Sequence, residues 1–484
     1  MKLDFPGSAV ALAASALLGA CVVGPDFHAP PPPAQTRLTE IALPAQTAAT
    51  AVGGGEAQTF AAGLPVPARW WSLYGSDALD QLVELALRDS PSVAAAQAAL
   101  RQAQENLAAQ RGGLLPAAAG VANGTRQKIS AAAEGIPQAG TFLYNLFNTS
   151  INLSYTLDLF GGVRRGIEVQ QAAQEFQRDE MQATFQTLAA NVVTAAVQEA
   201  SLRAQIEATS ALLASARHQR DLAQKQFDLG GAARSDVLSA ESNLASFEAT
   251  LPPLQQQLAV VRSQLAVYVG KPPGDYHLAP FALDGLQLPR QIPVALPAEL
   301  VRRRPDIRAA EAQLHEASAA IGVATANLLP QISITGSFGD SSGTVGSLLH
   351  SNAFSLGAGI TQPLFQGGTL SARRRAALAA YDQALAQYQQ AVLAACKNVA
   401  DALRALDNDA QALGAQYRAQ SAAVESLRLI EQRYGFGGSS NLELLTAQQQ
   451  YQRARLGYVQ ALAARYADTA ALFLALGGDW EIHP

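Results

Sequence analysis

The sequence predicts an α+β membrane protein built as an internal tandem repeat, and three observations carry that prediction. The stretch FDLGGAARSDVLSA (Phe227–Ala240) returns as YGFGGSSNLELLTA (Tyr434–Ala447), 207 positions later. Ahead of each copy runs a helical segment of more than 60 residues with a coiled-coil period. Ahead of each long helix lie strand-like segments of bilayer-spanning length, paired as hairpins. Self-similarity at a fixed large spacing marks a duplicated unit.

Composition agrees with long, closely packed helices. Of 484 residues, 49% are hydrophobic and only 6% aromatic, and much of the apolar content is alanine. A net charge of −5, with no basic patch interleaved with aromatics, excludes nucleic acid as a partner. The six histidines are scattered, and no Cys/His pair has ligand spacing. No glycine-rich loop follows a strand with nucleotide-binding spacing. The sequence therefore reads as neither an enzyme nor a metal or cofactor protein. Cys396, in the run AVLAACKNVADAL, reads as a small buried hydrophobe.

The apolar run ALAASALLGA is too short and too N-terminal to span a membrane and reads as the core of a secretory signal over residues 1–20. Leu18-Gly19-Ala20-Cys21 resembles a bacterial lipobox, whose cysteine thiol carries diacylglycerol. Val22 stands where an aspartate would resemble an inner-membrane retention signal, so the resemblance implies an outer-membrane lipoprotein acylated at Cys21. Residues 21–76 form a tether: Pro30 to Pro33 exclude helix, and Gly53 to Gly55 read as flexible linker.

The first repeat covers residues 77–270. A helix from Asp77 to Gln110 breaks at Pro91 and ends at Gly112-Gly113. From Asn145 to Phe160, Ile151, Leu153, Tyr155 and Leu157 alternate with Asn152, Ser154, Thr156 and Asp158, a strand period long enough for a tilted membrane strand. Ala118–Ser130 is its weaker partner across a Gly- and Pro-containing loop. After Gly161-Gly162, Val163 to Phe227 gives about 97 Å of helix at 1.5 Å per residue. Its narrow seam, Met181, Phe185, Leu188, Val192, Ala195, Leu202, Ile206 and Leu213, has a period near 3.5, interrupted by Glu199 and Thr209. A second helix, Asp236–Val269, carries an irregularity at Pro252-Pro253.

Residues 271–296 are a proline-rich linker, and the second repeat covers 297–477 before a tail at 478–484. Pro305–Pro330 matches Pro91–Pro116 at an offset of 214. The second hairpin starts with alternating Ile332, Ile334 and Phe338 and returns over Asn352–Phe365. Tyr388, Val392, Ala395, Val399, Ala402 and Leu413 reproduce the seam 207 residues on. Arg302, Arg303 and Arg304 close a short helix before Pro305, with solvated side chains.

Two long helices place each hairpin at one end of a rod and each glycine pair, Gly230-Gly231 and Gly437-Gly438, at the other as a helical tip. Four membrane strands per chain are too few to close a barrel, and an open sheet leaves unpaired backbone groups in lipid. The chain must therefore share a barrel with other copies. The period alone leaves open whether that barrel has eight, twelve or more strands.

The chain resembles a TolC-type outer membrane factor of the lipoprotein branch, OprM/NodT-like. The resemblance rests on Cys21-Val22-Val23-Gly24-Pro25-Asp26, on Trp70-Trp71, and on LPAELVRRRPDIRAAE from Leu296 to Glu311. It implies a homotrimer with a twelve-stranded barrel continued by a periplasmic coiled-coil barrel. It also implies an outer-membrane exit duct that passively conducts small molecules such as drugs, with a periplasmic adaptor and an inner-membrane RND-type pump as partners. By the same resemblance Glu443 takes the place of the first of two gate acids, with Thr446 replacing the second; Tyr434 matches a tip aromatic, and Asp236 is the repeat-related carboxylate. The residues themselves also fit a helix cap, since Ser440-Asn441-Leu442-Glu443 is a capping-box pattern. Two other readings stand beside the duct: a non-conducting envelope spacer or adhesin, and a type I protein-secretion channel.

Overall fold

Serine and proline set the first boundaries of the helical framework. Ser76 Oγ accepts the Leu79 N–H and starts α1 (Asp77–Asp89). Pro91 forbids continuation, so the chain restarts as α2 (Pro91–Gly112). The structure, a computed structural model, describes residues 22–33, 37–130, 140–277, 282–295, 297–348, 350 and 352–478. The signal segment, Cys21 and the loop after Ser130 lie outside the described residues.

The elements then follow in order: β1 (Thr59–Ala62), a 3-10 turn at Trp70–Tyr74, α1, α2, β2 (Ala117–Ser130), β3 (Thr141–Leu157), α3 (Gly162–Asp228), α4 (Arg234–Tyr268), β4 (Gln291–Val294), α5 (Pro297–Arg303), α6 (Pro305–Ala326), β5 (Gln331–Ser342), β6 (Asn352–Thr361), α7 (Thr369–Gly435) and α8 (Asn441–Leu476). Both α3 and α7 are 67 residues long. The chain divides into two compact units, each drawing on both halves of the sequence.

One unit takes the described residues of the N-terminal stretch up to Pro30, with Leu100–Gln177 and Ala310–Tyr388. It holds one antiparallel sheet of order β2-β3-β5-β6, in which Ile151 faces Phe338 and Phe338 faces Phe354. β3 begins four residues earlier than the alternation suggests, because Thr141 to Tyr144 pair with Ser130 to Gln127. β6 stops at Thr361, before Pro363, which has no N–H to give a ladder. The Gly161-Gly162 turn works through Asp158, whose two carboxylate oxygens accept the N–H groups of Val163 (2.9 Å) and Arg164 (3.0 Å). A carboxylate there also complements the helix dipole.

The other unit takes Pro31–Ala99, Arg178–Ala309 and Gln389–Pro484. β1 and β4 pair in parallel, tying the tether segment to the linker. Gly54 packs on Tyr466, with no room for a Cβ, so this glycine run is fixed in place rather than free linker. The tryptophan pair supplies core: Trp70 and Trp71 are buried, and Trp70 stacks on Phe473 at 5.3 Å. Tyr74 donates to the Tyr466 carbonyl (2.7 Å) and Tyr466 to that of Leu286 (2.8 Å), so these buried hydroxyls keep partners.

The seam of α3 is broader than a coiled-coil stripe. Between Leu188 and Ala200, Ala189, Ala190, Val193, Ala196 and Val197 are buried with it, because the helix has neighbours on two sides, while Ala195 and Ile206 are only half-buried. Glu199, an interruption in the sequence pattern, is fully buried and accepts from Arg262 Nε (3.0 Å) and Nη2 (2.9 Å) on α4. α4 runs unbroken through Pro252 and Pro253, both exposed, so the carbonyls they release face solvent. Two expectations need correction. Cys396 is half-buried rather than buried. Arg304 is buried rather than solvated, forked on Asp306 and donating to the Ala475 carbonyl (2.6 Å).

Replacing Arg262 by Met strands the Glu199 carboxylate. The expected cost is about 2 kcal/mol, below the roughly 3–5 kcal/mol of a wholly buried pair because the arginine is 47% exposed. Glu199→Gln combined with Arg262→Met should recover at least half of it. Denaturant midpoints of the two variants check this, and equal losses would show that the pair is not coupled.

Candidate functional site

Three places in the molecule combine chemistry with geometry: the sheet, the segment after Cys21, and the glycine tips. In the sheet, register sorts side chains by face. One face carries the rows Ile151–Phe338–Phe354, Leu153–Gly336–Leu356, Tyr155–Ile334–Ala358 and Leu157–Ile332–Ile360. Ile151, Leu153, Phe338, Phe354, Leu356 and Ile360 are open to the surroundings, Phe354 at 82%, and Tyr155, Leu157, Ile332 and Ile334 are half-buried. The opposite face carries Asn152–Ser337–Ser355, Ser154–Thr335–Gly357 and Thr156–Ser333–Gly359. None of those nine residues is charged. β2 and β6 are edges of the sheet as it stands in one chain.

The N-terminal segment is clasped. Arg165, on the first turn of α3, has a side chain only 5% exposed. It donates to the Val23 carbonyl (3.2 Å), to Asp26 Oδ1 (2.7 Å) and to Glu168 Oε2 (2.7 Å). Glu168 also meets His315 Nε2 on α6 at 2.9 Å, and Phe27 stacks on the His315 ring with centroids 4.4 Å apart. Gly24, at φ +98°, lies so close to Gly322 that a Cβ would sit 2.4 Å from the latter's Cα. Sequence reasoning missed this clasp. Its traces were present in Gly24 within CVVGPDF, a lone glycine inside the helical pattern at Gly322, and the arginines after Gly161-Gly162.

The two tips share one hydrogen-bond pattern. Gly230 and Gly437 occupy the left-handed region at φ +77° and +73°, which favours glycine. Gly231 N–H donates to the Gln226 carbonyl and Gly438 N–H to that of Arg433, both at 2.8 Å. At the first tip Asp236 Oδ2 accepts the Ala233 N–H (3.2 Å). At the second the reciprocal capping box forms: Ser440 Oγ accepts the Glu443 N–H (3.2 Å), and Glu443 Oε2 accepts the Ser440 N–H (2.8 Å). That bond from the Ser440 N–H, with the Ser440 hydroxyl and Arg433 assisting, lowers the Glu443 pKa, so an exposed, fixed negative charge stands at this tip.

The structure brings Tyr434 and Asp236 together and leaves Glu443 on its own helix. Tyr434, like Ile430 and Tyr451, packs against the cluster of Leu427, Leu444 and Ala447, and burial followed by the Asp236 charge pushes its phenol up. Asn441 Nδ2 donates to the Asp236 carbonyl (3.3 Å). Farther along, Asn243 bonds Gln448 (3.2 Å) and Gln449 (3.1 Å), giving an amide ladder between α4 and α8. Among the described residues, no group of three His, Cys, Asp or Glu could hold a metal, and no helix is long and apolar enough to cross a membrane.

A family model, outer membrane efflux protein, matches residues 82–271 and 296–478. The chain belongs to the outer membrane efflux protein family. It is an efflux channel of the bacterial outer membrane, as the resemblance to TolC-type factors implies. Among its relatives, the pyoverdine export outer membrane protein OpmQ of Pseudomonas aeruginosa is 30% identical over 477 residues, 97% of this chain and 96% of the relative. The toluene efflux pump outer membrane protein TtgC of Pseudomonas putida is 28% identical over 485 residues, 98% and 96% of the two chains. The solved outer-membrane channel OprN aligns with a TM-score of 0.82 at 28% identity, covering 95% of this chain and 100% of its own.

Two outcomes follow for the channel. Arg165→Ala should free residues 22–28, raising hydrogen exchange at the Val23 amide at least tenfold, since hydrogen bonds to a charged group stabilise by about 1.5–3 kcal/mol each; unchanged protection would mean that the clasp is not energetic. The Asp409 carboxyl on α7, half-buried and sharing a hydrogen bond with Asp468 on α8, is raised to about 7 by desolvation and that neighbour despite Arg465. Its folded pKa exceeds the unfolded value, so the folded state binds the proton more tightly and stability falls as pH rises from about 4 to about 7. Asp409→Asn should flatten that slope in thermal melts between pH 4 and 7, and an unaltered slope would assign it elsewhere.

Proposed function

We propose that three copies of the chain close one twelve-stranded barrel, β2 of one copy pairing with β6 of the next, and that the long helices continue the duct as a periplasmic coiled-coil barrel. The observation that carries the reading is the sheet, with two open edges, one apolar face and one uncharged polar face. Open edges in lipid cost several kilocalories per mole for each unpaired group, which closure among copies removes. The apolar face then meets lipid, and the face of Ser, Thr, Asn and Gly lines an aqueous lumen.

Residues 1–20 are removed as a signal, Cys21 carries the lipid, and 21–76 tether it. The repeats at 77–270 and 297–477 flank the segment 271–296, with 478–484 as a tail. Tandem matching of the family model supports the duplication. The chain performs no chemistry and needs no cofactor. Energy comes from an inner-membrane RND-type pump, reached through a periplasmic adaptor that grips the tips. Its cargo is small molecules, such as drugs or other toxic solutes; its relatives include outer membrane proteins named for pyoverdine export and for toluene efflux.

At the tips, Glu443 of the three copies forms an acidic ring at the periplasmic gate, Tyr434 and Asp236 fasten the closed state, and Gly230, Gly231, Gly437 and Gly438 supply the turns. Capping and gating separate experimentally, because Gln preserves a capping box and Ala does not. In planar bilayers both Glu443→Gln and Glu443→Ala should raise conductance severalfold over the parent channel. A rise in Glu443→Ala alone would leave capping as the whole role of the residue, and a parent protein that never conducts would overturn the duct itself.

A further inference from the structure

β2 ends in charge on the face where the other strands are apolar. Its alternation puts Ala118, Gly120, Ala122, Gly124, Arg126 and Lys128 on the face of Ile151, Phe338 and Phe354. Past the Phe338–Phe354 row come Ala122–Thr149–Asp340–Asn352, then Gly124–Phe147–Ser342, then Arg126–Asn145, and last Lys128–Leu143. Beyond the Phe147 ring two cations follow on β2, the second beside exposed Leu143. Phe147 leans over Gly124, where an added Cβ would meet its ring at 3.0 Å.

Both cations are exposed, and no carboxylate shares their rows. Asp340, the carboxylate on this face among the paired residues, lies two rows from Arg126 on the apolar side and two strands away. The cations sit two and four residues beyond Phe147, roughly 5 and 10 Å farther along the membrane normal for a strand rising 3.4 Å per residue at a 40° tilt. Aromatic girdles mark the level where hydrocarbon gives way to headgroups, and basic side chains just outside that level meet anionic headgroups.

We infer that Arg126 and Lys128 form a binding site for the phosphate of an outer-leaflet phosphorylated glycolipid, held against the outward face of the barrel beside Phe147. The inference rests on the proposal that this face meets lipid. The guanidinium fork suits two phosphate oxygens and the ammonium adds a point charge, while acyl chains lie along the Phe338, Phe354 and Leu356 rows. A pair of cations merely solvated at a strand end would show no preference between phosphorylated and dephosphorylated lipid.

The test uses the full acylated protein in detergent, with lipid retention read by native mass spectrometry. Phosphorylated lipid A should be retained about tenfold better than its dephosphorylated counterpart, and Arg126→Gln with Lys128→Gln should abolish the difference. Millimolar inorganic phosphate should not displace the lipid. Equal retention of both lipids, a variant that still discriminates, or displacement by free phosphate would each overturn the inference. The underlying reading has its own measurement, Phe354→Trp in brominated-lipid vesicles: strong quenching relative to the parent places the face in lipid, so its failure is told apart from a failure of headgroup binding.

Discussion

The constraint on which the rest depends is the pairing of backbone hydrogen bonds where water is absent. Four strands per chain satisfy each other internally and leave β2 and β6 with unpaired edges. In water an edge is a liability that charge or a bulge can manage, but hydrocarbon offers no partner at all. A small-residue strand such as β2, with Ala117 to Gly120 at its start, makes sense on such an edge because its contribution is mainly the ladder. Apolar bulk resides in β3, β5 and β6.

Much of this was legible in the sequence, because period is a local property. Alternation at Ile151 to Leu157 and a seam near 3.5 at Met181 to Leu213 need no tertiary context. What escaped depends on residues far apart in the chain. Glu199 broke the stripe on paper, yet Arg262, 63 positions away, makes it a paired core residue. Arg165 belongs to no local pattern, and only the fold brings it to Asp26, 139 positions off. Arg304 was read as solvated because a triplet of arginines normally is, whereas a carbonyl 171 positions later captures it.

Glycine was read correctly for turns and incompletely for packing. At Gly230 and Gly437 the left-handed backbone is the whole requirement, and nothing crowds the missing Cβ. At Gly24 and Gly322 the requirement is contact between two main chains, which no sequence period announces. The segment after Cys21 is thus held at Gly24, Asp26 and Phe27 by the protein's own helices.

Within the helical unit the forces holding α4 to α8 near the tips differ in kind from those holding the Trp70 region. Trp70, Trp71, Tyr74, Tyr466 and Phe473 are all within 1% of full burial, and separating them exposes large apolar area at about 25 cal/mol per Å². Near the tips the interhelical contacts include amide bonds from Asn441, Asn243, Gln449 and Gln452, the last reaching Thr250 at 3.4 Å. Such bonds are net worth about 1 kcal/mol each, and water can replace every one. The small apolar clusters there, Ala223 with Val237 and Leu427 with Leu444, lie between α3 and α4 and between α7 and α8, so each hairpin holds itself together without its neighbour. Near the tips the two hairpins thus meet through amide bonds, while the aromatic core around Trp70 fastens the far end of α8 by burial of Tyr466 and Phe473.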